Sequence, residues 1–70
     1  DVQHLAELIR LGVTRGCFRS DDPEQDALFC IVMVNAPLIL YSSGRLEDVA
    51  LRDRLAERAV EAALGYLQRR

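Results

Sequence analysis

The stretch that decides the fold is Ala-Leu-Phe-Cys-Ile-Val-Met-Val-Asn-Ala-Pro-Leu-Ile-Leu-Tyr, residues 27–41, in which Asn35 alone interrupts an apolar run. A helix that is apolar on every side is either buried on every side or spans a membrane. A run of this length with an internal proline falls short of the roughly 20 residues that a spanning helix needs. We therefore expect a buried helix, kinked near Pro37, and no membrane partner.

The sequence on either side predicts two further helices. Asp22 and Pro23 are a cap and a first-turn proline, so the apolar helix is predicted over residues 23–43. An amphipathic pattern over residues 2–15 ends at Gly16, which suits the left-handed position after a helix. Phe18 is placed to fold back onto that helix end. A third amphipathic helix is predicted from about residue 47 to residue 68, which makes the chain all-α with three helices.

The length of the chain limits how it can be stabilised. With 70 residues it forms at most one small domain, and such domains usually need a disulfide, a metal or oligomerisation. Cys17 and Cys30 lack metal-ligand spacing and are interpreted as small apolar residues, and His4 is the only histidine. We expect no cofactor and no metal. Oligomerisation, or contact with parts of the protein outside this chain, is left to supply the stability.

The charge pattern argues against nucleic-acid binding by this segment itself. Nine arginines, no lysine and eleven acidic residues give a net charge of −2, and the two signs are interleaved along residues 47–58 as on a solvated helix face. No nucleophile–histidine–acid set is evident, and Asp21 and Asp22 are explained by helix capping, so an enzyme is not expected. The absence of a targeting pattern and the low cysteine content suggest the cytoplasm. The chain opens inside an amphipathic run, as expected of a fragment.

The chain resembles the C-terminal regulatory domain of TetR-family transcriptional repressors. The resemblance rests on Leu5-Ala6-Glu7-Leu8-Ile9 through Gly12-Val13, on the turn Arg15-Gly16-Cys17-Phe18-Arg19, and on Asp-Asp-Pro-Glu at 21–24. It implies that the last two helices pair with those of a second subunit in a four-helix bundle. It also implies that the first helix borders a small-molecule pocket, and that DNA is bound only through an N-terminal helix-turn-helix domain absent from this chain. Ala36 departs from the family, which often has glycine there.

Two sets of candidate site residues follow from the apolar helix faces. The predicted homodimer stripe comprises Phe29, Val32, Met33, Ala36, Leu40, Leu55, Ala59, Ala62 and Tyr66. The same residues could instead form an ordinary core within one chain. A small apolar effector is expected beside Asn35, Ile31 and Leu38. The Asn35 amide has a second possible role, which is to satisfy backbone groups near Pro37.

These patterns support two functions of different classes. The first is the dimerising and effector-sensing part of a TetR-like repressor, in which ligand binding alters the DNA affinity of the absent domain. The second is a free-standing helical protein–protein interaction module. The coding sequence upstream of Asp1 distinguishes them, because only the repressor requires a helix-turn-helix there.

Overall fold

The computed structural model describes all 70 residues and contains three α-helices and no strands. Helix α1 runs over Val2–Thr14, α2 over Pro23–Ser42 and α3 over Val49–Leu67. The predicted all-helical class and the three predicted helices are confirmed, with ends shifted by one or two residues. The predicted four-helix bundle with a second subunit stays a prediction.

Each helix begins at an aspartate whose carboxylate accepts a backbone N–H of the first turn. Asp22 accepts from the Gln25 N–H at 3.1 Å, which confirms the predicted cap of α2. Asp1 accepts from His4 at 2.9 Å, and Asp48 accepts from Leu51 at 3.1 Å. The Asp48 cap sets the start of α3 at Val49, slightly later than the pattern of apolar residues indicates.

The turn after α1 has the predicted geometry. Gly16 has a φ of 76°, in the left-handed region that favours glycine. The backbone N–H groups of Cys17 and Phe18 both donate to the Gly12 carbonyl, at 2.8 and 3.1 Å. The Phe18 ring therefore folds back onto α1 and lies against Gly12, where a methyl group would overlap it. The glycine in this otherwise regular helix thus makes room for Phe18.

The core of the chain is small and lies where α1 and α3 both pack against α2. Its buried apolar residues are Ala6, Ile9, Ala27, Cys30, Ala63 and Leu67. Helix α2 contacts both neighbours extensively, whereas α1 and α3 contact each other little. The radius of gyration is 13.5 Å, compared with about 11 Å for a compact domain of this length. The three helices therefore form an open arrangement and leave a groove between α1 and α3.

The C-terminal end of α3 is tied to the turn between α1 and α2. The Arg19 N–H donates to the Leu67 carbonyl at 2.7 Å. The Arg69 guanidinium donates to the Arg19 carbonyl at 3.1 Å and to the Tyr66 carbonyl at 2.6 Å. It also lies 3.9 Å from the centre of the Tyr66 ring, a cation–π distance. This end of the molecule is consequently fixed by polar contacts between residues distant in sequence.

Helix α2 continues through Pro37 and is longer than the apolar run alone suggested. At 20 residues it is long and apolar enough to cross a membrane by length and composition. The length of α2 therefore does not exclude a membrane span, and the expected absence of a membrane partner stays a prediction. The same composition occurs in central helices of water-soluble bundles, so this feature by itself identifies neither environment.

Candidate functional site

The predicted dimer residues of α2 divide into bare and covered positions. Val32 is 65% exposed, and Phe29 and Leu40 are also exposed. Met33 instead packs against the core of its own chain, and Ala36 is half-buried. The bare positions leave large apolar surface available to a partner. Met33 instead belongs to a core within one chain, which is the alternative that the sequence left open.

The predicted dimer residues of α3 divide in the same way. Ala59 is only 9% exposed and lies inside the single chain, so it offers almost no surface to a second subunit. Leu55 is half-buried, whereas Ala62 is exposed. Tyr66 is partly exposed, and its ring centre lies 5.5 Å from that of Phe29 across the α2–α3 seam. Phe29, Tyr66 and Ala62 are therefore the members of the stripe that remain accessible near this seam.

Three further large apolar residues of α2 are bare, and the sequence predicts none of them on the dimer surface; one of them, Leu38, is predicted beside the effector instead. Leu28 and Leu38 are each about half exposed, and Ile39 is 62% exposed. A hydrophobic period identifies the buried face only when the opposite face is polar. Because α2 is apolar on every side, the sequence carries no signal for which of its large residues remain outside.

A cavity of about 290 Å³ lies between the three helices, and we call it the inner cavity. It is lined by Leu5, Cys30, Ile31, Val34, Asn35, Val60, Ala63, Leu64 and Leu67. Two of the three predicted effector residues, Asn35 and Ile31, are among these, and Leu38 is not. The Asn35 Nδ2 group donates to the Ile31 carbonyl at 2.8 Å. One amide hydrogen of Asn35 is thus used within α2, and the side chain also borders the cavity.

A second cavity of about 420 Å³ continues toward the α1–α2 turn, and we call it the turn cavity. It is lined by Leu5, Leu8, Ile9, Leu11, Gly12, Arg15, Cys17, Phe18, Leu64 and Leu67. Leu5, Leu64 and Leu67 line both cavities, so the two adjoin each other, and we call them together the α1–α3 groove. Arg15 is its only charged lining residue.

The Cys30 thiol in the inner cavity is held in its neutral form. Burial, together with the nearby Asp26 carboxylate, raises the pKa of the Cys30 thiol, which keeps it neutral and weakly nucleophilic. The buried Asp26 accepts a short hydrogen bond from the Ser20 hydroxyl at 2.5 Å. No three His, Cys, Asp or Glu side chains are placed to hold a metal ion. Almost all residues that line the groove are apolar, so it suits an apolar ligand.

No family model, curated protein or solved structure matches the chain.

Proposed function

We propose that this chain is the dimerising and effector-sensing part of a TetR-like transcriptional repressor. In this proposal α2 and α3 pair with the same helices of a second subunit, and the α1–α3 groove holds a small effector. DNA is bound by a separate helix-turn-helix domain, because this segment has no basic surface of its own. Effector binding favours one of two dimer arrangements and so alters the spacing of the DNA-reading domains.

The observation that carries the proposal is the amount of surface left uncovered. The chain exposes 5122 Å², whereas a compact monomer of this mass exposes about 4,400 Å². The chain therefore leaves about 700 Å² more surface uncovered than a compact monomer of its mass does. Much of this surface is apolar and lies on α2, which favours a second helical layer as the occupant.

A second copy of the chain is a suitable occupant for reasons of charge and shape. From Ala27 to Ser42, helix α2 has no charged side chain, so two copies of this face meet without burying an ionised group. Beside it, the small Ala62 side chain permits close approach of a facing helix. Symmetric pairing of one surface with itself is also the commonest arrangement of oligomers.

The effector part of the proposal is supported by the inner cavity. Its volume is near the lower end of the range for small-molecule sites, which are mostly apolar with a few polar groups. Asn35 supplies one such group. Because the lining residues come from all three helices, a bound molecule would change how α1 and α3 are held on α2.

The dimer is tested by analytical ultracentrifugation of the 70-residue chain and of variants. We expect the unmodified chain to sediment as a dimer. Val32→Glu and Ala62→Glu should each yield monomer, because they place a carboxylate in an apolar interface. The control is Ala50→Glu, since Ala50 is exposed near the start of α3, outside the predicted stripe.

Two outcomes contradict the proposal. One is a monomeric unmodified chain, or a dimer that survives both Val32→Glu and Ala62→Glu. The other is recovery of the protein in the membrane fraction of cells, which would assign the bare face of α2 to lipid. Circular dichroism of each variant confirms that the helices persist, so that loss of the dimer is separated from unfolding.

The repressor and the free-standing interaction module both account for a dimer, so a second test separates them. If the proposal is correct, the coding sequence upstream of Asp1 should encode a longer segment that begins with a helix-turn-helix domain. Translation that starts next to Asp1 would favour the interaction module instead.

A further inference from the structure

We infer that the α1–α3 groove takes an amphiphile with an apolar tail and an anionic head, of the class of a free medium-chain fatty acid. This inference rests on the proposed function, because it names the chemistry of the proposed effector. It is carried by the shape of the groove and by the position of its single charged lining residue.

The groove consists of two adjoining cavities that follow α1. The inner and turn cavities share residues on α1 and α3, and apolar side chains line them throughout except at Asn35, Gly12 and Arg15. Along α1, Leu5 and Arg15 are separated by about 15 Å, since each helical residue rises 1.5 Å. A linear alkyl chain can therefore lie over Leu64 and Leu67 with one end near Arg15.

The chemistry at the Arg15 end favours an anion. Arg15 is exposed and forms no ion pair in the structure, in which the arginine–carboxylate pairs are Arg10–Glu24 and Arg52–Asp53. Its aliphatic stem can line the groove while the guanidinium stays in water at the mouth. A carboxylate at the mouth would then accept charge-assisted hydrogen bonds from a planar guanidinium.

Four carboxylates follow Arg15 along the chain as far as Asp26, and all but Asp21 already have a partner; Glu24, for example, pairs with Arg10. Asp22 accepts from the Gln25 N–H, and Asp26 accepts from the Ser20 hydroxyl. A cationic head, by contrast, would meet Arg15 and would be repelled. The volumes of the cavities suit a small ligand, whereas a protein helix would require a wider and longer groove.

Isothermal titration calorimetry with decanoate tests this inference, and decanol is the matched uncharged ligand. We expect decanoate to bind more tightly than decanol. Arg15→Gln should weaken decanoate binding by about tenfold or more and leave decanol binding unchanged, because only the anion uses the guanidinium. Arg54→Gln, on the polar face of α3, is the control and should change neither affinity.

A second variant locates the ligand in the groove. Leu64→Asp places a carboxylate on the wall shared by both cavities, and Leu64 is exposed enough for the fold to tolerate it. We expect this variant to lose binding of both ligands.

The inference is overturned if decanol binds as tightly as decanoate, if Arg15→Gln behaves like Arg54→Gln, or if Leu64→Asp still binds decanoate. Sedimentation of the same samples keeps the two proposals apart. If the chain is a dimer that does not bind decanoate, only the ligand assignment is contradicted. If it is a monomer that binds decanoate in the groove, only the proposed dimer is contradicted.

Discussion

The two sides of α2 differ in the size of their residues in an unexpected direction. Its buried residues are Asp26, Ala27, Cys30 and Pro37, none of them a large aliphatic side chain. The most exposed of its large apolar residues are Val32 and Ile39. A monomeric protein usually buries its large aliphatic residues first. The inward side of α2 is therefore built for close approach of α1 and α3, and its outward side is supplied with the apolar volume that a further partner would bury.

The largest loss of stability is expected from truncating the α1 residue that packs against the inward side of α2. Ile9 is 1% exposed and is the one large side chain that is fully buried. Ile9→Ala should lower the free energy of unfolding by about 2–5 kcal/mol, since it loses buried apolar surface and leaves a cavity. Urea denaturation followed by circular dichroism measures the change. Leu8→Ala is the control, because Leu8 is half exposed and should cost about 1 kcal/mol or less. Equal losses from the two variants would show that α1 does not pack as described.

A smaller effect is expected from enlarging the inward side of α2. Ala27 is fully buried, so Ala27→Leu inserts atoms where no space exists and should cost about 1–3 kcal/mol. Ala62→Leu is the control: because Ala62 is exposed within the single chain, it should change the free energy of unfolding of that chain little. Urea denaturation of both variants is the measurement. A neutral or stabilising Ala27→Leu would mean that the inward side holds unfilled volume and that the size difference has no structural basis.

The smallest effect concerns the thiol on the inward side. Burial, reinforced by Asp26, raises the Cys30 pKa in the folded chain. Its contribution to stability is therefore fully present below the ordinary thiol pKa of about 8.5 and is lost as the pH rises through the folded-state value. We expect stability to fall more steeply at alkaline pH for the unmodified chain than for Cys30→Ala, as measured by urea denaturation across pH 7–11. Cys17→Ala, at an exposed position, should leave the slope unchanged. Identical slopes for all three proteins would refute the attribution of the alkaline loss of stability to the Cys30 thiol.

The sequence predicted the helices well because their ends are marked by local chemistry. Asp22, Pro23 and Gly16 act within a single turn, so their roles can be read without knowing the tertiary structure. Asp48 is a signal of the same kind and marks the start of α3 at Val49. The sides of α2 were not predictable, because a helix without polar residues gives no indication of which side meets α1.

The candidate site was predicted only where a polar side chain marked it. Asn35 stands out in an apolar run and borders the inner cavity together with Ile31. The turn cavity was not expected, because it arises from the way α1 and α3 diverge on α2, which depends on distant contacts. Ala59 was assigned to the dimer stripe although it faces its own chain, since two adjacent apolar stripes on α3 look alike in sequence. Packing between helices, and not periodicity, decides between them.

The tie between Arg19 and the end of α3 also has a consequence for the order of folding. The Arg19 N–H and carbonyl are bound by Leu67 and Arg69, which a ribosome synthesises about fifty positions later. Bringing together residues so far apart in sequence also costs more chain entropy than forming a helix turn between neighbours. During synthesis, α1 and α2 can therefore pair early, but the turn between them reaches its final geometry only after the last residues of α3 have emerged. A chain ending before Leu67 would lack this closure and would expose α2 for longer, when the apolar run is most prone to aggregate.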